Sequence, residues 1–280
     1  MLTNTSEIGN TDNGLEQNLP FTDVALRIIC DKEQNGAWNM AVDEALLQFL
    51  DAEKHPPIVR LYGFSPAVLS LGCFQPISQV KEAAANRGLS IIRRPTGGQA
   101  VLHQNELTYT FVVGKEHLER FSKRKVYAAV QKIIVRWLFD MGVTSMSGND
   151  AGGRNIPPNC FHSSGIYELN DRWGRKLVGS AQMVKRHGIM QHGSIAINKG
   201  KKDIEAPDPE AETDIENPSG SIEESTGRVL SFNEVRQSVM NSLLRLYPHA
   251  SEKALTKEEY NMAVDLYHKK YTSASWTEKY

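Results

Sequence analysis

Arg93-Arg94-Pro95-Thr96-Gly97-Gly98-Gln99-Ala100-Val101-Leu102-His103 is the stretch on which the reading of the fold turns. A short apolar run at residues 89–93 leads into it, and a longer run at 107–113 follows. In the second run Thr108 and Thr110 alternate with Tyr109 and Phe111, the period of a half-buried strand. Between two such strands, Gly97-Gly98 reads as a hairpin turn that needs positive φ. The pair also has a functional reading, because bare backbone lets a ligand carbonyl or acyl chain approach closely. Arg93 and Arg94 read as exposed strand residues, or, for one of them, as a phosphate partner, which guanidinium suits.

Working outward, residues 36–50 read as a helix, with Met40, Leu46, Leu47 and Leu50 largely on one side. Pro56-Pro57 closes that region. Two β-branched apolar runs follow at 58–62 and 68–71, with Ser65-Pro66 as the turn between them. Downstream, Val126, Val130, Ile133, Ile134, Trp137, Leu138 and Met141 form a helical stripe that Gly142 is placed to stop. Strands are expected at 165–169, 176–184 and 189–197. A helix over 232–246 aligns Val235, Val239, Leu243 and Leu246. Another begins at Thr256, where Glu259 completes a capping-box pattern.

The chain has 280 residues, 40% of them hydrophobic and 23% charged, with a net charge of −1. That composition is ordinary for a soluble protein and gives no bulk-charge drive toward nucleic acid or a membrane. No apolar run has the length of a membrane span, and no secretory signal is visible. Three cysteines, Cys30, Cys73 and Cys160, argue against a disulfide framework and for a reducing, cytoplasmic setting. The expected organisation is a flexible tail over 1–20, a catalytic domain over 21–200, a flexible insertion over 201–227 and a helical segment over 228–280. Nine acidic residues and no Lys or Arg between 203 and 224 motivate the insertion.

Chemistry centres on Pro157-Pro158-Asn159-Cys160-Phe161-His162 and on Lys176-Leu177-Val178-Gly179-Ser180-Ala181-Gln182. A free cysteine is often a small buried hydrophobe, but the adjacent prolines disfavour a strand or helix interior at Cys160. A nucleophilic thiol must reach its thiolate form. Lys176 can favour the thiolate and steady an oxyanion, and His162 is an alternative base. Cys30 and Cys73 sit in apolar contexts and are expected to pack in the core. No metal-ligand spacing is present.

These motifs, with Gly36-Ala37-Trp38-Asn39-Met40-Ala41-Val42-Asp43-Glu44-Ala45-Leu46-Leu47 and Gln191-His192-Gly193-Ser194-Ile195, resemble the lipoate/octanoate transferase and ligase superfamily. Within it the chain looks most like the bacterial cysteine-dependent octanoyltransferases. The resemblance runs from about residue 24 to the C-terminus, interrupted mainly over 201–227. It implies an α/β (α+β) fold of the biotin/lipoate protein ligase type, a mixed sheet flanked by helices with a small helical C-terminal segment. It further implies Cys160 as nucleophile assisted by Lys176, with Arg94, Gly97, Gly98, His103, Gly179, Ser180, Ala181 and His192 around the substrate. Apolar residues near Leu71, Gly97, Gly98, Gly179 and Ala181 should line the acyl pocket.

The implied donor is octanoyl-acyl carrier protein, and the acceptor is a lipoyl domain or the glycine-cleavage H protein. A thioester-to-amide transfer is downhill, so neither ATP nor a metal cofactor is implied. ATP-using ligases of the superfamily usually carry three glycines and then His-Asp, whereas this chain has Gly97-Gly98-Gln99 and His103-Gln104. The alternatives are an octanoyl amidotransferase between lipoyl-accepting proteins, an ATP-dependent lipoate ligase, and a non-catalytic binding relative.

Overall fold

The computed structural model of the chain describes residues 19–50, 55–117, 122–147, 168–199 and 220–280. Cys160, His162, residues 1–18 of the expected tail and residues 201–219 of the expected insertion lie outside the described residues. In chain order the elements begin with β1 (Leu26–Gln34), α1 (Gly36–Phe49), β2 (Ile58–Phe64) and β3 (Val68–Leu71). Next come α2 (Lys81–Asn86), β4 (Ser90–Arg93), β5 (Val101–His103), β6 (Glu106–Gly114) and α3 (Lys123–Asp140). Then follow β7 (Ser145–Ser147), β8 (Leu169–Asp171), β9 (Lys176–Val184), β10 (Gly188–Ala196) and α4 (Ile222–Thr226). The chain closes with α5 (Phe232–Leu246), β11 (Ala250–Glu252), α6 (Lys257–Leu266), a π-helical turn at Tyr267–Tyr271 and α7 (Ala274–Thr277).

Helix ends follow local chemistry. The Asn35 side chain accepts from the N–H groups of Ala37 and Trp38 and starts α1. Reciprocal capping boxes, Ser231 with Glu234 and Thr256 with Glu259, start α5 and α6, the second where the sequence places it. After α3 the backbone turns at Gly142, whose φ is +82°.

Eight strands form the main sheet in the order β11-β1-β2-β6-β10-β9-β8-β7. β1 runs parallel to β2 and β11, and the other pairs are antiparallel, so the sheet is mixed. One face packs on α3 and α5 through Tyr109, Phe111, Ile195, Ile133, Trp137, Val235 and Val239. The other packs on α1 and α6 through Val112, Met190, Val42, Leu46 and Ala263. Each large apolar side chain so buried contributes roughly 1.5–3 kcal/mol. Among the described residues no helix is long and apolar enough to cross a membrane.

A second sheet has the order β4-β3-β5, with β4 parallel and β5 antiparallel to β3. This corrects the hairpin reading of Gly97-Gly98. β4 and β5 do not pair with each other, and the glycine loop crosses the end of β3 to join them. β6, the expected partner strand, belongs to the main sheet. Only Gly98 of the two takes positive φ, +96°.

Two boundaries also differ from the sequence expectation. Residues 220–227 are not a flexible end of the acidic insertion. Ser221 caps α4, Ile222 is fully buried in the main core, and Gly227 ends the helix with φ of +67°. One apolar residue anchors this end, and counting charges hides it. The segment 228–280 is not purely helical either, because β11 pairs with β1 and extends the main sheet.

Candidate active site

Register across the centre of the main sheet sorts the sequence motifs by face. Thr110, His192 and Ala181 stand in one row across β6, β10 and β9, and Thr108, Ser194 and Gly179 in another. Strand alternation puts both rows on the α1 side. Tyr109, Gly193 and Ser180 form the intervening row on the opposite side. There the Tyr109 hydroxyl reaches across Gly193 to Ser180 Oγ at 2.6 Å. A Cβ on Gly193 would stand 2.4 Å from that hydroxyl, so the glycine makes the crossing possible. The structure thus separates the Ser180 side chain from its neighbours Gly179 and Ala181.

On the α1 side a buried polar network ties the helix to the glycine loop. Asp43 Oδ1 pairs with Arg60 Nη1 at 2.7 Å, and Asp43 Oδ2 accepts from the Tyr62 and Thr110 hydroxyls, each at 2.7 Å. His192 Nδ1 lies 3.2 Å from the same Oδ2, and His192 Nε2 lies 2.6 Å from Thr96 Oγ1. Burial alone would raise the Asp43 carboxyl, but the His192 hydrogen bond and the Arg60 charge outweigh it and hold the group below the usual carboxylate range. Burial pulls the His192 imidazole below its ordinary value in spite of Asp43. A carboxylate only accepts, so Nδ1 carries the proton and Nε2 accepts from Thr96.

Neither Arg93 nor Arg94 is an exposed strand residue. Arg93 is fully buried and donates to the carbonyls of Gly72, Gln75, Trp276 and Thr277. Arg94 donates to the carbonyls of Ser70, Gly97 and Gln99 and to Ser70 Oγ. Its guanidinium grips the glycine loop, and burial pulls its pKa down to about 10. Gly72 lies so close beneath that loop that a Cβ there would stand 1.8 Å from the Gly98 carbonyl oxygen. His103 lies behind the loop, stacked on Phe64 with ring centroids 4.2 Å apart. Its Nε2 is 2.8 Å from Ser70 Oγ and its Nδ1 is 2.5 Å from Glu106 Oε1.

Lys176 opens β9 with its Nζ 2.5 Å from Glu168 Oε1. Its stem lies over Gly179, where a Cβ would meet Lys176 Cε at 3.0 Å. That is the side of β9 shared with Ala181 and His192. Cys73 is in the turn after β3, where its N–H donates to the Thr96 carbonyl at 2.8 Å, rather than in the core. Cys30 is half-buried with Sγ 3.7 Å from Met240 Sδ. Burial pushes the Cys30 thiol up to about 11, and it raises Cys73 too against the pull of Arg94 and Arg93. Neither thiol is poised as a thiolate at neutral pH. A groove of about 590 Å³ lined by Ile29, Cys30, Gln34, Trp38, Lys253 and Tyr260 shares no residue with this constellation.

Sequence reasoning missed Asp43, Arg60, Ser70, Gly72, Thr96 and Glu106 as parts of the site. Asp43 left a signal. It falls three residues after Met40 and four before Leu47, a charge at a core position of an apolar stripe.

Comparison with known proteins bears on the family and the fold. The lipoyl protein ligase A/B catalytic domain family matches residues 35–244. Octanoyltransferase LipM of Bacillus subtilis (strain 168) is 31% identical over 90% of this chain and 98% of its own. Octanoyltransferase LipM of Moorella thermoacetica is 33% identical over 86% of this chain and 93% of its own. Among solved structures, protein Ta0514 of T. acidophilum with bound lipoic acid superposes with a TM-score of 0.72. It is 19% identical over 92% of this chain and 100% of its own, so this likeness concerns the fold. A motif set in the expected order, a mixed sheet that carries it, and a family match over most of the length agree: the chain belongs to the lipoyl protein ligase A/B catalytic domain family.

Proposed function

We propose that the protein is an octanoyltransferase of protein lipoylation that works through a thioester on Cys160. The Cys160 thiolate attacks the carbonyl carbon of octanoyl-acyl carrier protein. A sulfur–carbon bond forms, the bond to the carrier sulfur breaks, and the carrier leaves as a thiolate that takes up a proton. A lysine amine of a lipoyl domain or of the glycine-cleavage H protein then attacks the acyl-enzyme. The amide forms, the Cys160 thiolate departs, and the amine loses its proton. Lys176 supplies positive charge to the thiolate and to the oxyanion of both tetrahedral intermediates. Gly97, Gly98, Gly179 and Ala181 offer small surfaces past which the acyl chain runs.

One observation carries this reading: the likeness to octanoyltransferases spans 90% of this chain and 98% of the Bacillus subtilis protein. The test is transfer from octanoyl-carrier protein to a purified lipoyl domain without nucleotide, followed by mass of the acceptor. The expected result is a lipoyl domain heavier by one octanoyl group. An acceptor modified only with ATP and free acid would replace this reading by a ligase.

A further inference from the structure

Two buried carboxylate–histidine–hydroxyl relays bear on the glycine loop, one directly at Thr96 and one through Ser70 and Arg94. The first runs from Asp43 through His192 to Thr96, with steps of 3.2 and 2.6 Å. The second runs from Glu106 through His103 to Ser70, with steps of 2.5 and 2.8 Å, and continues from Ser70 Oγ to Arg94 Nη1 at 3.1 Å. Ser70 Oγ already accepts from Arg94, so its own proton is left for His103 Nε2. The Thr96 proton is likewise directed at His192 Nε2. Both hydroxyls are sealed from solvent, with Thr96 1% and Ser70 0% exposed. A carboxylate–histidine–hydroxyl chain suggests a nucleophile. These hydroxyls have no access to a substrate, so the chains are not catalytic triads.

Their product is a fixed backbone. Arg94 holds the carbonyls of Gly97 and Gln99, at 2.8 and 2.7 Å from Nη2. A trans peptide points its N–H opposite its C=O, so the Gly98 and Ala100 N–H groups are turned away from Arg94. Thr96 fixes one end of the loop to the main sheet, and Ser70 fixes Arg94 to the small sheet. The loop is therefore clamped between the two sheets at the point where they meet.

We propose that His192 and His103 are positioning residues, which set the Thr96–Gln99 backbone through Thr96 and through Ser70–Arg94 so that it receives the acyl thioester in a pre-formed geometry. This rests on the octanoyl-transfer reading for its substrate but not for its geometry. The variants are Thr96→Val, which keeps shape and removes the hydroxyl, Thr96→Ser, which restores it, and Ser70→Ala, which cuts the second relay.

Two readouts separate the claims. The first is amide hydrogen exchange over residues 96–101 in the full chain, which needs no substrate. The second is the rate of acyl-enzyme formation from octanoyl-carrier protein. Thr96→Val and Ser70→Ala should each speed exchange of this loop selectively and slow acylation about 10- to 100-fold, the cost of misplacing a reacting group by about 1 Å. Thr96→Ser should return both to within about threefold of wild type, as the retained hydrogen bond requires. Loop exchange unchanged in both Thr96→Val and Ser70→Ala overturns the proposal. So does a Thr96→Ser variant as impaired as Thr96→Val. If the wild type forms no acyl-enzyme, the substrate reading fails, while the exchange arm still decides the positioning claim. Should Thr96→Val fail to fold, Ser70→Ala alone decides it.

Discussion

Replacing Gly72 with alanine should disable transfer by moving a loop that the substitution does not belong to. A Cβ at residue 72 would stand 1.8 Å from the Gly98 carbonyl oxygen, 2.8 Å from its carbon and 3.1 Å from its nitrogen. Close carbon–oxygen approaches settle at about 3.3 Å, so the Gly98 peptide must retreat by about 1.5 Å. The obstacle is backbone, which cannot swing aside as a side chain would. Nor is the loop free to give way. Arg94 holds the carbonyls on either side, His192 holds Thr96, and the Cys73 N–H donates to the Thr96 carbonyl at 2.8 Å. Overpacking of this kind costs about 1–3 kcal/mol of stability. A misplacement near 1 Å costs about 100-fold in rate. The assay is octanoyl transfer to a lipoyl domain, paired with thermal unfolding. Gly97→Ala is the stability control, because a Cβ there meets nothing within 4 Å. A Gly72→Ala enzyme with wild-type rate and unaltered stability would refute the close approach and the loop's role together.

The other predictions concern charge and packing. Lys176→Ala should slow acyl-enzyme formation by about 100-fold, with Lys176→Arg retaining more, since the proposed role is a positive charge near the oxyanion. Stopped-flow release of the carrier thiol measures both. Asp43→Asn breaks a fully buried ion pair and should cost about 3–5 kcal/mol in denaturant unfolding, because Arg60 loses its fully buried carboxylate and is left with the more exposed Asp31 and the neutral oxygens of Asn39. The pH dependence of stability has a worked sign. Folded His192 resists protonation, so its contribution is present above about pH 6.5 and declines as the unfolded state gains a proton below it. Asp43 is held low, so its contribution is present above about pH 4 and is lost as pH falls further. His192→Gln should flatten the first decline and shrink the second, because the His192 hydrogen bond helps to hold Asp43 low. Ile222→Ala should cost about 2–5 kcal/mol in thermal or denaturant unfolding if α4 is anchored in the core, and nothing measurable if that end is loose.

Much of this architecture was legible locally. Thr256 and Glu259 announce α6, and the 176–184 run matches β9, because caps and short periodicities are nearest-neighbour effects. The Gly97-Gly98 topology was not legible. β3 pairs with β4 in parallel, and nothing within either strand states that a third strand lies between the arms of the loop. Arg93 illustrates a second limit. Its partners Trp276 and Thr277 lie more than 180 residues away and offer only backbone carbonyls, which carry no residue identity. At the site, the glycines and His192 were visible as motifs, whereas Thr96 and Ser70 gain their roles from the histidines folded against them. Ser180, next to two residues on the site face, points the other way because a strand alternates. β11 is only three residues long and joins the sheet by pairing with β1, which no local pattern records.

The central claim is a covalent acyl-enzyme on Cys160, and intact mass tests it most directly. Wild type and Cys160→Ala would each be incubated with octanoyl-carrier protein in the absence of ATP and then weighed. The account predicts one octanoyl adduct on the wild type, removable by hydroxylamine as a thioester is, and none on Cys160→Ala. An adduct that persists on Cys160→Ala, or a wild type that transfers octanoate with no dependence on Cys160, would contradict it.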